Sequence, residues 1–279
     1  MTPAISLPIL IRRFWKRTAP TWILVIFEGI ILIALPLVIG RAVDDLMAGS
    51  YRGLIELGGL CLSLLVVGAG RRFYDTRIYA GIYRKVGREM VGREIDRDTT
   101  VSKVSARLTL FGEFVDFLED ALPDLFNHMI GLCGTLGIIL VLDIRIFCLC
   151  LTGIGLTVLI YWCSRSRMLG LNKGQNNCYE HQVDVLSSRD RGKLATHLKK
   201  LMTWNIRLSD LETVNFSATW IVLSVVLLTA ILLLAAPGTT TGQMLTMIMY
   251  VFGFIESVLT FPLYYQQMVR LREIAGRLG

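Results

Sequence analysis

Six apolar blocks, each long enough to cross a lipid bilayer as an α-helix, dominate this 279-residue sequence. The hydrocarbon core of a bilayer is about 30 Å thick, so a helix needs about 20 residues to cross it. Apolar residues make up 53% of the chain and charged residues only 18%. A soluble chain would place its apolar residues at helix or strand spacing, whereas here they occur in long runs. The blocks lie at about 20–40, 54–74, 122–142, 144–164, 213–236 and 242–264.

The 29 lysines and arginines are distributed unevenly along the chain. Only Arg41, Arg52 and Arg145 lie in one set of alternate loops, and the other 26 lie in the termini and in two long connections. Cytoplasmic loops of membrane proteins carry the excess of basic residues. The sequence therefore predicts that both termini are cytoplasmic, in a bacterial inner membrane. Because the net charge of +7 lies in these clusters, topology explains it and nucleic-acid binding is not expected.

The connections between the spans also differ in length. Asp143 alone separates the third and fourth spans, so we expect spans joined by such tight turns to pair as antiparallel hairpins. The two inside connections, about 75–121 and 165–212, lack the composition of linkers and have helical spacing. We therefore expect spans two to five to continue as helices of about 40 residues, forming two cytoplasmic helical hairpins.

Several short segments carry a family resemblance through their order and spacing. They are LPLVIGRAVDDL at 35–46, RFY at 72–74, IYRKVGREM at 82–90, VSAR at 104–107, FVDFL at 114–118, GTTTGQM at 238–244 and REIAGRL at 272–278. Taken together, they resemble the six-helix transmembrane domain of ABC exporters. The resemblance covers the whole chain, residues 1–279, and implies a domain-swapped dimer. That dimer would be a homodimer, or a heterodimer with a related membrane half.

The same resemblance implies that an ATPase contacts the inside connections near 98–107 and 172–182. The coupling-region candidates are Thr99, Val101, Ser102, Val104, Gln175, Asn177, Tyr179 and Glu180. The sequence contains no G-x-x-x-x-G-K-[ST] phosphate loop, and it stops where the ATPase domain begins in the family. We therefore expect no nucleotide-binding domain, no catalytic residue, no metal site and no cofactor of its own. ATP and magnesium would act only through a separate ATPase subunit.

Two carboxylates, Glu28 and Glu256, lie within the predicted spans. A charge at bilayer depth is expensive and usually faces the bundle interior or a water-filled cavity. The aromatic residues of span six that are candidates to line such a cavity are Tyr250, Phe254, Phe261 and Tyr265. With the two glutamates, they form the predicted substrate or proton pathway.

The charged residues Arg71, Arg72 and Asp75 at the end of span two are interpreted differently. Long basic side chains near a span end extend toward the interface, so we expect snorkelling and local ion pairing there. Pro36 and Pro262 lie within spans one and six, where a proline removes a backbone hydrogen bond.

These observations predict the membrane-spanning subunit of an ABC-type transporter. Its solute would be a small molecule, a siderophore-like compound or a peptide, moved by alternating access and powered by a separate ATPase subunit. Two alternatives stay open. One is an ATP-independent, proton-coupled transporter with the same membrane fold, and the other is a non-transporting membrane adaptor subunit. An ordinary six-span channel fits the two long inside hairpins poorly.

Overall fold

The computed structural model describes residues 7–96, 101–188, 190–235 and 238–278, with the side chains at 7–12, 93–96, 103, 106, 184 and 263–278 left out. These ranges contain eight α-helices, one π-helical segment and no β-strand. The helices are α1 (Leu7–Met47), α2 (Arg52–Asp96), α3 (Val101–Asp116), α4 (Leu122–Leu142), α5 (Ile144–Glu180), α6 (Gln182–Ser187), α7 (Arg191–Leu234) and α8 (Thr241–Leu278). The π-helical segment, Phe117–Ala121, joins α3 to α4 without a break in the helical path.

Within the described residues, six helical stretches are long and apolar enough to cross a membrane. They are Arg13–Met47, Arg52–Gly92, Arg107–Leu142, Ile144–Ser187, Arg191–Leu234 and Thr241–Pro262. This confirms the six spans expected from the sequence. The helices α2, α5 and α7 have 45, 37 and 44 residues, close to the predicted 40 and well beyond the length of one bilayer crossing.

The chain divides into two compact units. The first comprises Met1–Asp143 and Leu234–Gly279, and the second is Ile144–Leu233. The boundaries between the units fall at Asp143 and at the end of α7, in the connections between spans three and four and between spans five and six. The pairing of these spans as hairpins stays a prediction. Asp143 has an extended backbone (φ −153°, ψ 110°), which ends α4 before α5 begins.

In the first unit, α1 packs against α2, α4 and α8. An aromatic and aliphatic core joins the N-terminal part of α1, the second half of α2, α3 and the π-helical segment. Its buried members are Phe14, Tyr79, Ile82, Val86, Met90, Phe111, Phe114, Val115 and Leu118. The α2–α3 connection is thus a packed helical hairpin, as its sequence spacing predicts. Both α1 and α8 remain helical through Pro36 and Pro262.

In the second unit, α5 packs along α7 through small residues. A Cβ added at Gly153 would meet Val226 at 3.0 Å, and one added at Gly174 would meet the Trp204 ring at 2.7 Å. Glycines at these two positions therefore allow the large side chains of α7 to lie directly against the α5 backbone. The second long connection, about 165–212, consequently consists of the end of α5, the short helix α6 and the start of α7.

Candidate functional site

Three charged side chains meet in the seam between α1 and α2, where Arg71 and Asp75 are buried and Glu28 is half-buried. The Nε of Arg71, which is 6% exposed, donates to Oε2 of Glu28 at 2.6 Å, and its Nη1 donates to Oδ2 of Asp75 at 3.4 Å. The hydroxyl of Thr21 donates to the other oxygen of Asp75, Oδ1, at 2.5 Å. We refer to Thr21, Glu28, Arg71 and Asp75 as the Arg71 cluster. With two carboxylates and one guanidinium, it carries one negative charge in excess when all three are ionised.

The helical repeat explains how the sequence assembles this cluster. Arg71 and Asp75 are four residues apart on α2, and Thr21 and Glu28 are seven apart on α1, so each pair lies on one helix face. A charge removed from water is tolerated when it is paired and hydrogen-bonded, and each charge of the cluster has such a partner. Arg71 forms the local ion pairs expected from the sequence. The extension toward the membrane interface that was also expected does not occur. Its side chain points into the seam.

An open groove of about 670 Å³ lies beside the cluster. Glu28 of α1 lines one part of it, and a continuous face of α2 lines the remainder. The α2 residues are Leu64, Leu65, Gly68, Ala69, Arg72, Phe73, Thr76 and Arg77. The second carboxylate oxygen of Glu28, Oε1, lies 3.4 Å from the position that a Cβ on Gly68 would occupy. This oxygen therefore borders the groove, while Oε2 is held by Arg71.

Near the C-terminus of α1, a carboxylate side chain caps the N-terminus of α8. The Oδ1 of Asp44 accepts from the backbone N–H of Gly242 at 2.7 Å, and its Oδ2 accepts from the Thr240 hydroxyl at 2.6 Å. Thr240 and Gln243 also exchange hydrogen bonds as a capping box, which satisfies further free N–H groups at the start of α8. A Cβ at Gly40 would collide with the Gly242 backbone, so only glycines allow this approach.

The next residue, Asp45, caps a different helix. Its Oδ2 accepts from the backbone N–H of Gly53 in the first turn of α2 at 2.9 Å. The chain reverses between α1 and α2 through Gly49, whose φ of 77° is a left-handed conformation that glycine adopts without strain. The two consecutive aspartates of the 35–46 segment therefore anchor α1 to both α2 and α8. This contact pairs two segments on which the family resemblance rests, 35–46 and 238–244.

Tyr250 lies against the turn of α1 that contains Pro36. Its hydroxyl donates to the Ile33 carbonyl at 2.7 Å. One turn earlier on α8, the Thr246 hydroxyl donates to the Pro36 carbonyl at 3.1 Å. Because proline has no N–H, this part of α1 lacks one backbone hydrogen bond, and α8 supplies polar partners in the same region. Tyr250 is 2% exposed and therefore packs between helices in this unit.

The other span-six candidates lie in different surroundings. Phe254 is fully buried, Phe261 is 58% exposed and Glu256 is exposed in this unit. The side chain of Tyr265 lies outside the described residues. Of the five predicted pathway residues whose side chains the structure describes, Glu28 lines the open groove, Tyr250 and Phe254 are buried, and Glu256 and Phe261 are exposed. Their role as a pathway stays a prediction.

The coupling-region candidates lie at the ends of long helices. Val101, Ser102 and Val104 are in the first turn of α3, and Thr99 lies outside the described residues. The second group, Gln175, Asn177, Tyr179 and Glu180, occupies the last two turns of α5. The helix runs through the whole group, so the reversal toward α7 comes later, at α6. Val101 and Tyr179 are exposed.

A second polar seam, between α5 and α7, includes the neutral side chains of Ser164 and Asn215. The Ser164 hydroxyl donates to Oδ1 of Asn215 at 2.6 Å. Three other buried polar atoms of this seam, Nδ2 of Asn215 and the hydroxyls of Thr157 and Thr219, have no hydrogen-bond partner among the described residues. Within those residues, no group of three His, Cys, Asp or Glu side chains is arranged to hold a metal ion.

Sequence reasoning missed Thr21 of the Arg71 cluster and the whole α5–α7 polar seam. The i, i+4 spacing of Arg71 and Asp75 was a usable signal for a shared face. Ser164 and Asn215, by contrast, are 51 residues apart, and no local pattern connects them.

Comparison with known proteins gives one family. A family model described as the ABC transporter transmembrane region matches residues 7–242. No curated protein sequence matches the chain. Among solved structures, the chain is similar to a bacterial Atm1-family ABC exporter with ATP bound, with a TM-score of 0.64 and 11% sequence identity. The match covers 95% of this chain but 53% of the exporter chain, so this chain spans about half the length of that protein and shares its membrane fold.

Proposed function

We propose that this chain, which belongs to the family of ABC transporter transmembrane regions, is one half of a transporter that moves a solute by alternating access. The observation that carries the proposal is the family match over residues 7–242 of an integral membrane, six-span chain. Two such halves enclose the path as a homodimer or a heterodimer. Both termini face the cytoplasm of a bacterial inner membrane, in line with the 26-to-3 distribution of basic residues.

The dimer is domain-swapped in this proposal, with α5 and α7 as the exchanged element. Two features support that choice. The α5–α7 pair is a compact unit by itself. Its surface also carries large apolar side chains that are more than half exposed, namely Val158, Trp162, Val214, Phe216, Ile221, Val225, Leu228 and Leu232. Lipid or a related membrane half covers such side chains in a membrane.

A separate ATPase subunit supplies the energy. The sequence has no phosphate loop within its 279 residues, so ATP and magnesium are bound elsewhere. The ATPase contacts the start of α3, where Val101 is 85% exposed, and the end of α5 together with α6, where Val183 is 71% exposed. Val101 begins the helical path that runs through α3 into α4, and Val183 lies in α6 directly after α5, so contacts there suit the transmission of movement along these helices.

Affinity purification of the tagged chain from detergent-solubilised membranes tests this coupling. We expect an ATPase subunit to be recovered with it, and the double variant Val101→Asp, Val183→Asp to lose that subunit while remaining folded. Met47→Asp, at the C-terminal end of α1 and 71% exposed, is the matched control and should retain the subunit. Recovery that is equal in all three samples would refute the proposed contact.

A second candidate function is proton-coupled transport without ATP. The observation that favours it is the pair of carboxylates, Glu28 and Asp75, that share Arg71 within a membrane-length helix pair. Transport abolished by a protonophore, but not by ATP depletion, would support this candidate over the first. If no ATPase is recovered and neither treatment affects any flux, the non-transporting adaptor is the remaining function.

A further inference from the structure

We propose that the groove beside the Arg71 cluster is a site for one anionic phospholipid. Its phosphate is bound by Arg72 and Arg77, which we call the groove arginines, and one acyl chain lies along the apolar part of α2. The proposal rests on one helix face, on which two exposed arginines follow small and apolar residues. It goes beyond the proposed transport function, and the test below measures lipid binding alone, so either can fail without the other.

The order of the groove residues on α2 follows from the helix itself. Neighbouring pairs of lining residues recur every four positions on this continuous helix, which places them on one face. They are Leu64 and Leu65, Gly68 and Ala69, Arg72 and Phe73, and Thr76 and Arg77. With a rise of about 1.5 Å per residue, Arg72 lies about 10 Å from Leu65 along the axis. Glu28 of α1 reaches this face beside Gly68, between the leucines and the arginines. The uncharged run 57–70 ends directly before the arginines, so the groove changes from apolar to basic where α2 leaves the hydrocarbon.

Contacts with Phe73 hold one groove arginine near the other. The Nη1 of Arg77 donates to the Phe73 carbonyl at 2.8 Å, and its guanidinium lies 5.4 Å from the centroid of the Phe73 ring. Arg77 is therefore folded back by one helical turn, toward Arg72, instead of extending away from it. A guanidinium has five N–H donors, so Arg77 retains several for the oxygens of a phosphate. The two groove arginines are both exposed and can contact the same anion.

Neither groove arginine forms an ion pair with a described residue. The carboxylates of Glu28 and Asp75 are both engaged by Arg71, and Glu119 of the π-helical segment interacts with Thr76 instead. The two guanidinium groups are thus available to an external anion, and arginine binds phosphate oxygens through charge-assisted hydrogen bonds. The cytoplasmic leaflet supplies such anions, because its anionic lipids attract basic segments next to a span.

The apolar part of the groove favours a lipid over a free phosphate. Leu64, Leu65 and Ala69 lie on the hydrocarbon side of the arginines, and the absence of a side chain at Gly68 deepens the groove there. A free phosphate would contact only the arginines, whereas an acyl chain also covers this apolar face. Glu28 lies between the two parts, at the level of the glycerol and ester groups of the lipid. Its carboxylate, already paired with an arginine, therefore borders the polar part of the lipid and not its hydrocarbon.

The test uses the full chain purified in detergent, with native mass spectrometry to measure the fraction that carries a lipid. The probe is dioleoyl phosphatidylglycerol, and the comparison is dioleoyl phosphatidylcholine, which has the same acyl chains and no net charge. We expect saturable binding of the anionic lipid and about tenfold weaker binding of the zwitterionic one. The double variant Arg72→Gln, Arg77→Gln should also bind phosphatidylglycerol about tenfold more weakly.

Arg84→Gln, Arg88→Gln is the matched control, because it removes the same charge from two exposed arginines of α2 outside this groove. Arg84 lies about 18 Å beyond Arg72 along the helix axis, so this variant should bind phosphatidylglycerol like the parent. Ala69→Trp fills the apolar part of the groove without a change in charge, and it should weaken binding several-fold. A size-exclusion profile like that of the parent shows that each variant is folded.

Equal affinity for the two lipids would overturn the proposal, since the groove would then bind acyl chains without reading the headgroup. An equal loss in the two double variants would assign the binding to the general positive charge of α2. Displacement of the lipid by glycerol 3-phosphate at equal concentration, or unchanged binding in Ala69→Trp, would mean that no acyl chain occupies the groove. A titration with phosphatidylglycerol that does not saturate would show that the groove is not a lipid site.

Discussion

The α1–α2 and α5–α7 seams both bury polar side chains inside membrane-length helix pairs. They differ in how many of those side chains have a hydrogen-bond or ion-pair partner. In the first, Arg71 pairs with Glu28 and Asp75, and Asp75 also accepts from Thr21, so each charge has a partner. In the second, Asn215 keeps one hydrogen bond through Oδ1, while its Nδ2 and the hydroxyls of Thr157 and Thr219 have none among the described residues.

This difference follows from the relative cost of burying charges and neutral polar groups. An unpaired charge away from water costs several kcal/mol or more, whereas an unpaired hydroxyl or amide costs about 1–3 kcal/mol. The charged seam must therefore be completed for the helices to pair. The neutral seam tolerates open donors and acceptors, and its packing depends instead on Gly153 and Gly174. We therefore expect mutations in the α1–α2 seam to lower the free energy of unfolding more than mutations in the α5–α7 seam.

The largest effect is expected for Arg71→Met. This change leaves Glu28 and Asp75 buried without their common partner, which should destabilise the fold by about 3–5 kcal/mol. Fluorescence-detected size-exclusion chromatography in detergent should show little folded protein. Arg72→Met is the control, because Arg72 is exposed on the same helix and should give a profile like that of the parent.

The charge explanation is tested by removing the two carboxylates together with the arginine. The triple variant Glu28→Gln, Arg71→Met, Asp75→Asn carries no unpaired charge in the seam, and it should recover most of the folded protein lost in Arg71→Met. A triple variant as unstable as the single one would mean that the shape of Arg71, rather than its charge, holds the seam together.

A smaller effect is expected for Asp44→Ala at the other end of α1. Asp44 caps α8 as a charged acceptor, but this contact lies at a helix end, where water replaces a lost partner more easily. The free energy of unfolding should fall by about 1–2 kcal/mol, the usual range for the loss of a helix cap. The thermal unfolding temperature in detergent should fall by a few degrees.

Asn at position 44 provides the discriminating comparison. Its side-chain oxygen still accepts from the Gly242 N–H, so Asp44→Asn should retain most of the stability if capping is the reason. Asp210→Ala, at an exposed position of α7, should leave the unfolding temperature unchanged. An equal loss in the Asn and Ala variants would assign the effect to the negative charge instead.

Local composition determined what could be predicted about this fold. The six spans and the long helices follow from runs of neighbouring residues, and both were found correctly. The packing of α5 against α7 does not, since it depends on the contacts of Gly153 and Gly174 with side chains of α7, far along the chain. An apolar block indicates a helix, but it does not indicate the partner of that helix.

The candidate sites show the same limit. Glu28 is recognisable from its place within a span, but its partner Arg71 is 43 residues away, and an arginine near a span end gives a local pattern that favours snorkelling. Asp44 and Gly242 are 198 residues apart, so neither sequence segment predicts that one caps the other. The residue types were visible in the sequence, whereas their pairing required the packed helices.

The smallest effect is expected for Asn215→Leu in the neutral seam. Leucine removes the unpartnered Nδ2 and adds apolar contact, while it also removes the acceptor of the Ser164 hydroxyl. That hydroxyl keeps a second acceptor, the Ile160 carbonyl at 3.0 Å on its own helix. The free energy of unfolding should change by less than about 1 kcal/mol. The loss of one neutral hydrogen bond and the removal of a buried donor without a partner offset each other. The measurement is the thermal unfolding temperature in detergent, with Ile221→Leu at an exposed position of α7 as the control. A loss as large as that of Arg71→Met would contradict the comparison, since it would mean that Asn215 holds its seam together as strictly as the arginine holds the other.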